Sequence, residues 1–449
     1  MTTSPLSIKA WIEFIETAIE KNDFKQVVSI KNQLNSQVQD DNKPLLSQTL
    51  YQQGWKAFKA KRFNVAQELF TWLAELNPKN WSVHLSHAAL KQQLLGAEEA
   101  TVQFRNFVTT NPIFPYQLAT IEPAIKIGVL VSLGSDNISF NDGGFSIANG
   151  LTEVQHLLKS PQYSVALLFV EGINSQDIAL FDCIINTVSD SDLYYEQLLQ
   201  LQQLLTDSNK PVINHPKHSI LSTRDYIAQH SHAIENLIVP KTIKLALNTS
   251  QADALVLAIT EHSLHYPVLI RPVGTQNGDG FVLLRNETEA VNYTFKTAHY
   301  YLSEYYEFQS KDGFYRKYRC WCIGDEIVLN HLTVGDQWNV HNPVRITVMG
   351  NNPHLNEEEK DFVINGYDYH QGFIKRIVLE LKKIIGLDYF GVDFNLTQNG
   401  EFVLFEANAT MLSSFRSLDP VAFPHLKDVL DKHISTFQHL ISLKTANFN

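Results

Sequence analysis

A chain of 449 residues, 44% hydrophobic and 18% charged, is an ordinary folded polypeptide and not a disordered one. Its length suits about three domains. A net charge of −11 excludes a general nucleic-acid binder, whose footprint is basic, and argues against docking on anionic membranes.

An apolar run such as Ala254–Ile259 falls far short of the roughly 20 residues that a membrane-spanning helix needs. The first residues hold no basic stretch leading into an apolar core, so no secretory signal is expected and the expected location is cytoplasmic. The cysteines are Cys183, Cys320 and Cys322, an odd, small set that fits a reducing compartment. Cys320 and Cys322 alternate on one strand without the spacing of a zinc site, and strand packing is expected for them.

Residues 1–118 are expected to form a helical domain with an internal repeat. Gly54, Ala66, Phe70, Asn77 and Pro78 recur 34 residues later as Ala88, Ala100, Phe104, Asn111 and Pro112. Small residues let two helices approach closely, the phenylalanine fills the next layer, and the proline ends the second helix. The pattern resembles the tetratricopeptide repeat, although that family's Trp and Tyr positions are not kept. The resemblance implies either a partner protein held by the repeats or self-association, such as a homodimer.

After Pro123 the pattern becomes α/β. Ile125–Val131, Ser164–Val170 and Phe181–Asn186 read as buried parallel strands, Leu193–Leu205 as a helix, and Pro211–Asn214 as the next strand. This domain is expected over 123–236. An α+β domain is expected over 237–445, with strands at Pro240–Leu245, Val268–Arg271, Tyr305–Phe308 and Arg319–Leu329. Helices are expected at Thr288–Glu304, Gln371–Ile385 and Pro420–Leu443.

Three stretches of the last domain carry chemistry. In the first, Arg271 stands before a loop with Gly274, Thr275, Gly278 and Gly280, whose backbone N–H groups can approach an anion closely. In the second, Glu307 and Phe308 precede a strand led by Arg316, Lys317 and Arg319. The third is a hairpin with Asp393 on its first strand and Glu406 and Asn408 on its second. Residues two apart share a strand face, so two carboxylates and an amide oxygen can form an all-oxygen site suited to Mg²⁺.

In this order the motifs resemble the ATP-grasp superfamily, and locally its branch of glutamate ligases that modify ribosomal proteins. The resemblance covers about residues 123–440. It implies an ATP-grasp fold with a preceding α/β domain, and ATP and Mg²⁺ as cofactors. It also implies roles: Asp393, Glu406 and Asn408 for the metal, Arg271 and Arg319 for the transferring phosphoryl group, and Glu307 and Phe308 at the adenine hinge. Lys241 and Arg224 would assist in nucleotide binding. His331, His341, Arg345 and Arg416 are candidates for holding a carboxylate substrate. Two positions depart from the family: Arg271 stands where a lysine is usual, and Tyr226 follows Asp225 at another usual lysine. The implied activity is a carboxylate–amine ligase acting through an acyl phosphate on small-molecule or peptide substrates. Phosphotransfer on the same fold, or a scaffold with a relic ATP site, are the alternatives.

Overall fold

The computed structural model describes residues 7–35, 40–134, 138–141, 144–147, 151–152, 154–206, 208–247, 253–275, 279–341, 343–411 and 423–446; for 40, 147 and 367–371 it describes the backbone alone. The chain divides into two compact units. The first holds residues 1–114, 133–148 and 171–173; the second holds the rest.

The first unit opens with six helices: α1 (Ile8–Glu20), α2 (Phe24–Leu34), α3 (Lys43–Lys59), α4 (Phe63–Leu76), α5 (Trp81–Leu95) and α6 (Ala97–Thr110). Successive helices pack as pairs, α1 on α2, α3 on α4 and α5 on α6. The repeat has a structural basis. Ala66, Phe70, Ala88, Ala100 and Phe104 are all fully buried. Gly54 lets Phe70 in so closely that a Cβ there would lie 2.7 Å from the ring. Asn77 and Asn111 end α4 and α6 in the same way: each amide donates to the carbonyl four residues back, Leu73 at 2.8 Å and Phe107 at 3.2 Å.

The hairpin of β3 (Ile138–Asn141) and β4 (Gly144–Ile147) completes this unit. Gln92 on α5 bonds both backbone groups of Phe140, at 2.9 and 3.2 Å. Phe140 and Phe145 lie 5.0 and 5.8 Å from the Phe104 ring. The expected boundary at residue 118 therefore leaves out part of the helical unit.

The second unit begins with a sheet in the order β1 (Ile113–Gln117), β5 (Tyr163–Phe169), β2 (Ile125–Val131), β6 (Cys183–Asn186) and β7 (Val212–Ile213). The pairs β2–β5, β2–β6 and β6–β7 are parallel, as the buried apolar runs predict. Helices α7 (Ser175–Ala179), α8 (Tyr195–Thr206), α9 (Pro216–Ser219) and α10 (Arg224–Ser231) connect and follow its strands.

Two further sheets follow. One has the order β11 (Val282–Leu284), β10 (Val268–Pro272), β12 (His299–Glu304) and β9 (Thr242–Ala246), with α11 (Ala254–Glu261) and α12 (Glu287–Val291). The other has the order β14 (Glu326–Gly335), β13 (Tyr315–Ile323), β15 (Tyr389–Leu396), β16 (Phe402–Asn408) and β8 (Leu237–Ile238). With it go α13 (Val344–Thr347), the long α14 (Pro353–Ile385) and α15 (His425–Ala446).

Two expectations fail locally. The helix expected over Thr288–Glu304 stops at Val291, and His299–Glu304 is strand β12. Its residues Tyr300, Tyr301 and Leu302 favour a pleated, buried surface, and tertiary pairing with β10 and β9 decides the outcome. Tyr305–Phe308, expected as a strand, is irregular backbone leaving β12. Cys183, Cys320 and Cys322 are buried and free. Among the described residues no helix is long and apolar enough to cross a membrane.

Candidate functional site

The second unit has a cleft lined by both of its later sheets. From β9, β10 and β12 come Thr242, Leu269, Arg271, Tyr301 and Ser303. From β13, β15 and β16 come Lys317, Asp393 and the run Leu404–Ala407. Glu304, Tyr305, Tyr306 and Phe308 form the connecting wall.

Strand register explains the charged end. His331 on β14, Arg319 on β13, Asp393 on β15 and Glu406 on β16 stand in one row across the sheet. A register shift just after Asp393 leaves Phe405 without a direct partner on β15. Such a bulge re-aims side chains, and here Phe405 and Glu406 both line the cleft. Phe405 also packs on Phe308 at 4.8 Å.

Asp393 is fully buried, which by itself would raise its pKa. Arg319 and Lys317 overcome this and hold the carboxyl well below the usual range. Arg319 donates to it twice, at 2.5 and 2.8 Å, and the Lys317 ammonium lies 3.3 Å away. Glu406 accepts from Arg224, the first residue of α10, and from the amide of Asn408. The Asn408 oxygen accepts from the backbone and hydroxyl of Thr410, at 2.9 and 2.8 Å.

These three side chains offer only hard oxygen donors on adjacent ladder positions, a set that fits Mg²⁺ shared with nucleotide phosphates. No cluster of three His, Cys, Asp or Glu side chains arranged for a metal occurs among the described residues. Two carboxylates and an amide suit a cation completed by ligand oxygens, not a closed protein cage.

Arg271 faces Tyr301 across the β10–β12 ladder. Burial, then the neighbouring Arg224, lower its pKa to about 10, so it stays cationic at neutral pH. It donates to the Thr275 carbonyl and, at 3.4 Å, to the Thr275 hydroxyl, which fixes the start of the glycine loop. Gly274 has φ +78°, and a Cβ there would lie 2.6 Å from Leu193. Gly280 has φ +66°, with Pro272 2.8 Å from the corresponding Cβ position. Gly278 lies outside the described residues.

A second, smaller cavity adjoins this end. Gly274, Thr275, Asn408 and Thr410 line it, together with Asp190 and Asp192 from the loop after β6. Arg224, Arg271, Tyr301 and Glu406 line both cavities. Asp192 accepts from Tyr301 at 2.7 Å and from Lys244 at 2.5 Å.

Several expected residues stand elsewhere. Lys241 points away from the cleft and donates to the carbonyls of His262 and Ser263, at 2.6 and 3.3 Å. Glu307 is exposed and accepts from Gln309 N at 2.9 Å; its neighbours Tyr305, Tyr306 and Phe308 supply the wall. Arg345 is committed to the fully buried Glu359 through two bonds of 2.7 and 2.5 Å, so its guanidinium is taken. His331 is buried within the sheet beside Asn330. Burial, Arg319 and Arg345 push its pKa far down. His341 does line the cleft. Arg416 lies outside the described residues.

Tyr301 is a cleft residue that no sequence motif marked; of the cationic run Arg316, Lys317 and Arg319, it is Lys317 that lines the cleft, whereas Arg319 lies behind Asp393. Strand alternation from Arg319 points to Lys317. Tyr301 was hidden by the helix expected over its segment.

Residues 221–416 match the RimK-like ATP-grasp domain. That span holds both later sheets and the charged row, so the fold is an ATP-grasp fold preceded by an α/β domain and an N-terminal helical region. No curated protein sequence matches the chain. Solved structures to which the chain is similar include a D-alanine–D-alanine ligase from Bacillus anthracis complexed with ATP. It is 12% identical with a TM-score of 0.41, and the match covers 72% of this chain and 98% of that one. A RimK domain ATP-grasp protein from Sphaerobacter thermophilus DSM 20745 is 16% identical with a TM-score of 0.36, over 68% and 98%.

Proposed function

We propose that the protein is an ATP-dependent ligase that joins a carboxylate to an amine. The observation that carries this reading is the opposed Asp393–Glu406 pair, which lines one cleft with Lys317 and, from the facing sheet, Arg271, while Arg319 holds Asp393 from behind, inside a span matching the RimK-like ATP-grasp domain.

In this reading the adenine lies against the apolar wall of Tyr305, Tyr306, Phe308 and Leu404, and the triphosphate runs toward Arg271, Lys317 and Arg319. Those fixed cations stabilise charge on the transferring phosphoryl group with little reorganisation. Asp393, Glu406 and Asn408 would hold Mg²⁺, which supplies further neutralisation of phosphate charge when bound. The substrate carboxylate takes the γ-phosphoryl group, and an amine then displaces phosphate from the acyl phosphate. Holding the reactants in line supplies much of the catalysis, so no Ser-His-Asp arrangement is needed.

The helical unit is proposed to bind a partner protein or a second copy of the chain, supported by its paired repeats. A cytoplasmic location is supported by the three free cysteines.

The test is turnover with Mg-ATP and a panel of carboxylates and amines. A ligase releases ADP and inorganic phosphate only when both substrates are present. ADP with a stable phosphorylated product would identify a phosphotransferase instead.

A further inference from the structure

His341 follows β14 and lines the cleft with Lys317, Asp393 and Glu406. Among the described residues its enclosed Nε2 has no hydrogen-bond partner, and no bond joins the ring to Asp393 or Glu406. The groups acting on it come from four strands: Lys317 on β13, Arg271 on β10, Asp393 on β15 and Glu406 on β16. Burial first, then Lys317 and Arg271, lower its pKa against the opposite pull of the two carboxylates.

A neutral imidazole is a poor anchor for a carboxylate, the role that the sequence suggests for it. It is a competent proton acceptor. Ligation needs one. When an amine attacks an acyl phosphate, the C–N bond forms, the carbonyl C–O bond to phosphate breaks, phosphate leaves, and the nitrogen must lose a proton. The other groups at this end are engaged: Asp393 by Arg319 and Lys317, Glu406 by Arg224 and Asn408. We propose that Nε2 of His341 takes the proton from the attacking amine, as general base for amide formation. This rests on the ligase reading above.

The test compares wild type with His341→Gln, using Mg-ATP and a panel of amino acids, peptides and dicarboxylic acids. Hydroxylamine serves as nucleophile in one series and glycinamide in the other. Hydroxylamine captures acyl phosphates with little need of a base. The variant should still form hydroxamate but lose about 10²-fold or more in amide formation. The remaining amide formation should also lose the acidic limb of its pH profile. His341→Asn is read in the same way, so a folding defect in one variant leaves the comparison intact. Equal loss with both nucleophiles, or no loss with glycinamide, would overturn the assignment of His341 while leaving the ligase reading standing. Wild type that makes neither ADP nor hydroxamate would overturn both.

Discussion

Asp393 and Glu406 stand directly opposite one another on adjacent strands, yet each carboxylate is held by a different arginine. Arg319 reaches Asp393 from the same sheet, whereas Arg224 reaches Glu406 from the start of α10. Two carboxylates this close repel unless cations intervene. The arginines therefore let the sheet present two anions side by side.

Replacing Asp393 by Asn should lower ATP turnover by about 10²-fold or more, because the charged end loses its central anion. Stability should also fall by roughly 3–5 kcal/mol, since two cations are left without their buried partner. Denaturant melts read this second effect. The double variant Asp393→Asn/Arg319→Gln should be less destabilised than the sum of its parts. Strict additivity would show that the pair is not coupled.

Arg345 should behave differently. Its partner Glu359 is fully buried and also lies 3.3 Å from His425. Arg345→Ala takes the two-pronged guanidinium partner from that buried carboxylate, leaving it His425 and the Leu332 N–H, and should cost roughly 3 kcal/mol. Nucleotide affinity of the folded fraction should be unchanged. A normal melting temperature with lost affinity would return Arg345 to the ligand site.

At Gly274 two costs combine: φ +78° disfavours any side chain, and a Cβ would meet Leu193. Gly274→Ala should raise the KM for ATP by displacing the loop that Arg271 anchors. Adding Leu193→Ala should restore part of the loss, because it removes the collision but not the backbone strain. Full recovery would mean that the collision alone matters.

Acid should destabilise both units early. Burial lowers the pKa of His433 to about 3; for His87, burial and then Lys91 and His84 do the same. In the unfolded chain these groups titrate at about 6.5. Their contribution to stability is therefore complete above about pH 6.5 and is lost as pH falls toward about 3. Asp393 adds a loss of the same sign below about pH 4, where the unfolded carboxylate begins to take up protons. Melting temperature should drop between pH 7 and pH 5, and His433→Gln should reduce that drop. A flat profile would contradict it.

Much of the site was legible because strand periodicity and hairpin spacing are local. Asp393, Glu406 and Asn408 could be grouped from sequence, and the register sets Asp393 opposite Glu406, with Asn408 two residues further on opposite Gly391. Lys241 and Glu307 were different. Each lies close in sequence to cleft-lining residues, but their side chains found nearer partners in His262 and Gln309. Arg345 was out of reach for another reason. Its partner sits 14 residues away on a helix whose packing no local pattern announces. Tyr301 fell to a wrong periodicity, since pairing on both sides outweighed the helical pattern.

The hairpin that Gln92 clasps has a bearing on how this architecture can be inherited. The helices draw part of their core from a stretch that the chain reaches only after laying down β2. Severed at residue 118, they would lose Phe140 and Phe145, and Gln92 would lose both backbone bonds. The front of the molecule therefore cannot be shuffled as a cassette. A recombination event that moved it intact would have to carry two separated stretches of coding sequence.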